Sequence, residues 1–348
     1  LRLYFPNYSL VIEQLKNFSL PFWNPFIFAG NLNIASLQSA VFYPLNVFGL
    51  ILPQVEFWHL LRISPLVLGS FFTYLYLRNL KLSRLAAFFG AISFGFGPFM
   101  VTWGEEQVIT PHTIIWLPLV LYCVDKILTK RVGRQKLLDR LYFPLISFSV
   151  AFSVFAGFIQ TTIYLVIFVL AYLLFKVIFL KSGSIKQVIS VFLAILLGII
   201  IFAVQIFPTA ELYFNSARAG VNVQETMRDF LLPLESLLTY FAPDIFGNPA
   251  TWNFFRSGIA TYYESVMFVG IGVLLFAIYE IFENKKDKLN KFLLFSTIVV
   301  LILVLDNPIS RLFISFPIPF LSSSIVNRLL FIPAFSLAVL AAKGMDLW

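Results

Sequence analysis

Residues 19 to 53 read SLPFWNPFIFAGNLNIASLQSAVFYPLNVFGLILP. The stretch has no charged residue, yet Pro21, Pro25, Gly30, Pro44, Gly49 and Pro53 interrupt it. Proline removes an N–H and breaks the helical hydrogen-bond ladder. In hydrocarbon the freed backbone groups would stay unpaired, so this stretch is too broken to cross a bilayer. Trp and Tyr favour the headgroup zone. The reading that follows is a half-buried loop with short helices, lying at a membrane interface on the outer face of a helix bundle.

The rest of the chain supplies the bundle. Of 348 residues, 59% are hydrophobic and 12% charged, and the mean hydropathy is +0.88. Soluble domains carry about twice that share of charge. Apolar runs near the ~20 residues that span a bilayer fall at 56–77, 85–103, 109–128, 141–158, 161–180, 187–208, 262–282, 290–305 and 325–342. The expected fold class is therefore all-α: a polytopic transmembrane bundle of about nine spans with two long extracytoplasmic loops that carry short interfacial helices. The expected divisions are a first loop at 1–55, spans in 56–208, a second loop at 209–261 and spans in 262–348. Small residues such as Ala86 and Gly90, followed by Gly95 and Gly97, mark helix contacts.

Placing residues 1–55 outside puts most of the 25 Lys and Arg in inner loops, as the positive-inside rule requires. The basic excess of +8 is thus a topology signal and not one for nucleic acid. Cys123 is the one cysteine, so no disulfide forms within the chain. Two histidines cannot make a histidine-rich metal site. No phosphate-binding glycine loop, G-x-S-x-G or H-E-x-x-H pattern occurs.

Carboxylates gather on the predicted outer side. Glu105 and Glu106 lie together in Trp103–Gln107, at the turn between the second and third spans. Paired oxygens of this kind suit a divalent ion that also holds phosphate, Mg or Mn, or a general base for a hydroxyl; they equally suit a wet turn. His112, one turn into the third span, fits donation to a phosphate or orientation of a glutamate, and also a plain bond to a backbone carbonyl. Arg218, Arg228, Arg256 and Arg328 match phosphate oxygens. Arg328 opens a predicted span and needs a partner there; Glu264, after Tyr262-Tyr263, is a possible one. Trp23, Asn24, Gln38 and Tyr43 are polar-tipped groups on apolar bodies, suited to sugar faces, to headgroups or to interfacial anchoring.

Pro21, Trp23, Asn24, Pro25, Phe28, Gly30, Gln38, Ser39, Phe42, Tyr43, Pro44 and Asn46 follow the pattern L-P-x-W-N-P-x-x-F-x-G, then Q-S-A-x-F-Y-P-x-N. This resembles the first-loop signature of the YfhO-like bacterial membrane proteins. Weaker similarity runs through Gly157–Thr161, Phe207–Leu212 and Asn327–Asp346. The resemblance implies a GT-C-like fold in the bacterial plasma membrane and a glycosyltransferase. Its donor would be a polyprenyl-phosphate-linked sugar and its acceptor a cell-envelope polymer or lipid. Read from their own chemistry and position, the candidate site residues are Glu105, Glu106 and His112 for catalysis, and Trp23, Asn24, Gln38, Tyr43, Arg218, Glu264 and Arg328 for substrate, with a divalent metal on Glu105 and Glu106; the resemblance matches only the general placing of Glu105 and Glu106. Membrane lipids are the other expected partners, and the alternative activity is transport of a lipid or polysaccharide precursor. Such enzymes place an acidic residue soon after the first helix. Neither Glu13 nor Glu56 sits there, so that residue and the first helix are expected ahead of Leu1, with a further part beyond Trp348.

Overall fold

The computed structural model describes residues 4–27, 29–129, 135–215, 224–254, 261–316, 318, 321–322 and 324–348. In chain order the helices are α1 Tyr4–Lys16, α2 Gln54–Asn79, α3 Arg84–Gly95, α4 Pro98–Glu106, α5 Ile109–Ile114, α6 Trp116–Leu128, α7 Gln135–Phe155 and α8 Ile159–Ile178. They continue as α9 Ile185–Ile201, α10 Ala203–Phe214, α11 Gln224–Arg228, α12 Ile271–Glu283, α13 Lys288–Val304, α14 Pro308–Ser315 and α15 Phe331–Leu347. The one departure from an all-α chain among the described residues is small. Trp23–Asn24 pairs antiparallel with Asn31–Leu32, and a single bridge joins Leu232 to Leu305.

Among the described residues five helical stretches are long and apolar enough to cross a membrane: Gln54–Asn79, Arg84–Glu106, Ile109–Leu128, Ile159–Ile178 and Val326–Leu347. A sixth arises if α9 and α10, bent by 59° to each other, form one broken span. The remaining three of the nine predicted spans are shorter as helices. The apolar part of α7 covers Leu141–Phe155, and α12 and α13 have 13 and 17 residues. The run expected at 262–282 does not begin as a helix. Tyr263–Ser265 is a 3₁₀ turn, and Gly270 adopts φ +97°, a left-handed conformation that no helix interior accepts. At the expected start of the second loop, α10 continues through Thr209 to Phe214.

The chain forms two compact units. One comprises 1–65, 104–177 and 181–221; the other 66–103, 178–180 and 222–348.

In the first unit α1 buries Tyr4, Tyr8, Val11 and Ile12, which recur at helical spacing on one face. That face packs in a cluster with Phe57, Trp58 and Leu61 of α2 and with Ala151, Val154 and Phe155 of α7. Phe202, at the break between α9 and α10, is buried against Phe155 with ring centroids 5.6 Å apart. Ser147 donates to Ala194 O (2.8 Å), and Gly198 lies against the Ser147 carbonyl, so α7 and α9 approach closely. Within these spans Asp125 pairs with Lys176 at 2.8 Å and accepts from Tyr172.

The 19–53 segment is the loop with short helices that its prolines and glycines demand. Leu37–Ser39 and Pro44–Leu50 are 3₁₀ turns. Its backbone is tied down along its length. Ser39 Oγ donates to Asn33 O (2.9 Å), Asn46 Nδ2 to Ala40 O (2.6 Å) and Thr209 Oγ1 to Ala35 O (2.9 Å). Gly157, at φ +106°, lies directly under the Leu37 carbonyl. The Gly157–Thr161 and Phe207–Leu212 motifs thus contribute seats for this segment.

The second unit is organised on α15, buried over most of its length. Gly90 of α3 faces Ala342 and the Ala338 carbonyl, and Gly344 faces the Phe276 carbonyl of α12. Small residues let the backbones meet, as Ala86 and Gly90 predict. Gly95 of α3 lies against Ser70 of α2. At one end of α15, Lys343 Nζ reaches Asp287 Oδ2 (2.7 Å), Glu280 Oε1 (3.2 Å) and Asn290. Asn290 and Asn284 in turn donate to the two Glu280 oxygens at 2.8 and 3.0 Å.

Candidate functional site

In the first unit the predicted residues divide between buried structural pairs and exposed tips. Tyr43 and His112, 69 positions apart, are both buried. Tyr43 Oη lies 3.0 Å from His112 Nδ1, and His112 Nε2 lies 2.7 Å from Leu61 O. A carbonyl can only accept, so Nε2 carries the proton and Nδ1 accepts from Tyr43. Both ring nitrogens are committed within the protein, and the bond to a backbone carbonyl is the one the sequence offered as the plain reading. Burial raises the Tyr43 phenol well above its ordinary value. Tyr43→Phe leaves Nδ1 without a donor in a buried site and is expected to cost about 1–3 kcal/mol, read from chemical unfolding in detergent.

Asn24 is also buried. It donates to Asn7 Oδ1 (3.3 Å) on α1 and accepts from Phe26 N (2.9 Å), so it shapes the loop. Trp23 and Gln38 are exposed. Gly30, at φ +118°, lies flat under the Trp23 ring, where a Cβ would collide. Glu105 is exposed and paired with Arg62 of α2, a partner that sequence reasoning missed. Glu106 is exposed, with no partner among the described residues. A divalent ion on Glu105 would sit against the Arg62 guanidinium, leaving Glu106 as the one uncommitted oxygen donor of the pair. Among the described residues no group of three or more His, Cys, Asp or Glu is placed to hold a metal. Arg62 already pairs with Glu105 where the expected Mg or Mn would bind, and no step is drawn through a metal.

The second unit holds the paired Glu264 and Arg328. Glu264 sits in the Tyr263–Ser265 turn and Arg328 in the 3₁₀ turn Val326–Leu330 that leads into α15. Arg328 Nη2 lies 3.5 Å from Glu264 Oε1, with the two side chains 17% and 2% exposed. Thr261 Oγ1 lies 3.3 Å from the other carboxyl oxygen. Burial raises the Glu264 pKa; the Arg328 charge and the Thr261 hydroxyl oppose it without cancelling it. The folded state therefore holds this proton more tightly than the unfolded chain. The resulting stabilisation is complete below the ordinary carboxylate range and is lost as pH rises through the raised value. Glu264→Gln is expected to flatten that fall in unfolding free energy across mildly acidic pH. Next to this pair, Asn327 Nδ2 donates to Phe230 O (2.8 Å), which gives the Asn327-Arg328 motif a structural role. Arg218 and Arg256 lie outside the described residues.

A narrow cleft of about 30 Å³ adjoins the same turn, lined by Thr102, Thr239, Phe246, Phe254, Tyr262, Ser265 and Met267 among others. It combines aromatic and aliphatic walls with four hydroxyl groups. Tyr262 Oη donates to the exposed Asp244 carboxylate at 2.6 Å. Burial and the neighbouring Asp244 push the Tyr262 phenol up to about 12. Phe254 meets Tyr262 edge-on at 5.6 Å, and Trp103 meets Tyr263 edge-on at 4.9 Å. Neither Glu105 nor Glu106 lines this cleft.

No protein-family model, curated protein or solved structure matches the chain. The YfhO-like resemblance thus rests on the residues quoted for it, and the cleft is interpreted from its own chemistry. Asp244 was visible in sequence only as one of many loop carboxylates. Tyr262 was noted there merely as a neighbour of Glu264, and no local pattern links positions 18 residues apart in irregular backbone.

Proposed function

We propose that the chain is a multi-spanning, GT-C-like protein of the bacterial plasma membrane, with the 19–53 segment on the extracytoplasmic side. In this reading it transfers a sugar from a polyprenyl-phosphate-linked donor to a cell-envelope polymer or lipid. The observation that carries the proposal is the cleft at Tyr262. Aromatic faces and clustered hydroxyls suit the edge of a sugar presented at the mouth of this cleft, and the nearby Asp244 carboxylate is already oriented by the Tyr262 hydroxyl. In the step, an acceptor hydroxyl oxygen bonds to the anomeric carbon. The bond from that carbon to the phosphate oxygen breaks, polyprenyl phosphate leaves, and the hydroxyl proton passes to Asp244 as general base. Glu264 and Arg328 act behind the cleft as positioning residues that hold the Thr261–Ser265 turn. This replaces Glu105 and Glu106 as the catalytic pair, because Arg62 occupies Glu105.

Full-length protein is incubated with polyprenyl-phospho-sugar and an envelope acceptor. Transfer is expected in the wild type, and Asp244→Asn should lower it about 100-fold or more. The double replacement of Glu105 and Glu106 by Gln should leave it unchanged. No donor turnover by the wild type, or full turnover by Asp244→Asn, overturns the assignment. The second reading, a transporter of a lipid or polysaccharide precursor, has one observation in its favour. The 59° break between α9 and α10 has the form of a discontinuous transporter helix. Movement of labelled precursor across liposomes without sugar transfer would select it.

A further inference from the structure

A second groove in the same unit, of about 310 Å³, is lined by Arg228, Asp229, Leu231, Pro233, Asp306 and Arg311. It shares no residue with the Tyr262 cleft, and its interpretation does not rest on sugar transfer. Its walls are built. Leu232 N donates to Val304 O (2.9 Å) and Asp306 N to Leu232 O (2.7 Å), which fixes one side. Asn307 Oδ1 caps α14 by accepting from Ile309 N and Ser310 N, while Asn307 N donates to the Ser310 hydroxyl, which fixes the other. Asp306 and Arg311 spend their charges on each other in a bidentate pair of 2.6 and 2.7 Å, and this pairing lowers the Asp306 pKa.

Two charges remain. Arg228 and Asp229 are adjacent, exposed and opposite in sign, and neither side chain has a hydrogen-bond or ion-pair partner among the described residues. The α14 face beside them exposes Ile309, Leu312 and Phe316 by more than half of each side chain. Ile309 and Leu312 form an exposed apolar stripe on a helix that buries Ser310 and Ile314 on its other side, and Phe316, just past its C-terminus, extends the exposed apolar surface.

We infer that this groove binds a membrane phospholipid with a zwitterionic phosphoethanolamine headgroup, its phosphodiester on Arg228, its ammonium on Asp229 and an acyl chain along the apolar face of α14. The charge pattern selects the class. A guanidinium offers paired donors to phosphate oxygens, and a carboxylate accepts N–H bonds from a primary ammonium. A quaternary ammonium has no N–H to donate and is recognised by aromatic faces, of which the groove lining has none. A glycerol headgroup would leave Asp229 facing a net anionic lipid.

Delipidated full-length protein in detergent is titrated with phosphatidylethanolamine, phosphatidylglycerol and phosphatidylcholine of matched chains, with bound lipid counted by native mass spectrometry. The wild type is expected to prefer phosphatidylethanolamine roughly tenfold over the others. Asp229→Asn should erase that preference, and Arg228→Gln should weaken all three lipids. Leu312→Asp should weaken the lipids while leaving their order intact. Equal binding of the three lipids by the wild type overturns the proposal without reference to any variant. So does an unchanged preference in Asp229→Asn. Soluble phosphorylethanolamine binding as tightly as the lipid overturns the lipid assignment.

Discussion

Replacing Lys343 by Met is expected to destabilise the second unit by about 3–5 kcal/mol, the usual consequence of stranding a buried charge. The ammonium is 13% exposed and reaches two carboxylates, one of them the fully buried Glu280. Methionine fills the space of the stem and removes the positive charge, so Glu280 must ionise without a cation or take up a proton. Glu280 is held from three sides, by α15 through Lys343, by α13 through Asn290 and by Asn284 at the end of α12. Chemical unfolding in detergent micelles reads the loss. Adding Glu280→Gln to Lys343→Met should restore part of it, because the amide needs no counter-charge. If the double variant is as unstable as the single one, the cost is packing and not charge.

Gly157→Val carries the second large effect, about 4 kcal/mol from backbone strain and steric overlap together. Gly157 has φ +106°, and a Cβ there would lie 2.5 Å from the Leu37 carbonyl. The collision is with backbone, so no rotamer relieves it. The displaced part is Leu37–Ser39, whose neighbours carry the remaining ties of the 19–53 segment. Limited proteolysis should therefore cut that segment faster in the variant, in step with a lower unfolding midpoint. Gly272 in α12 is the control: a Cβ there meets nothing within 4 Å. Gly272→Ala is expected to be neutral or to stabilise by about 0.5–1 kcal/mol through helix propensity.

Much of the fold was legible in the residues because it depends on local composition. Long apolar runs forecast α2, α3 with α4, α8 and α15. The prolines and glycines of 19–53 forecast an irregular, turn-rich segment. Hydropathy could not find the start of α12, since Val266, Met267, Phe268 and Val269 extend its apolar run without a break in composition. Their geometry is set by Gly270 and by the burial of Glu264. The candidate site was legible in part. Arg328 was expected to need a partner and Glu264 supplies it. Beyond the expected set of Glu105, Glu106 and His112, the structure adds partners: Arg62 pairs with Glu105, while Tyr43 and Leu61 bond both nitrogens of His112.

What the order of residues determined alone was the solvent: too few charges for a water-soluble domain, and apolar segments of bilayer length separated by basic and aromatic connectors. Those are sums over neighbours in the chain. Which polar groups stay free to do chemistry was decided only in three dimensions. A buried donor or charge must find a partner wherever the fold brings one, and here the partners lie from 43 to 69 positions away. Pairing of that range follows from helix packing, which no local period records.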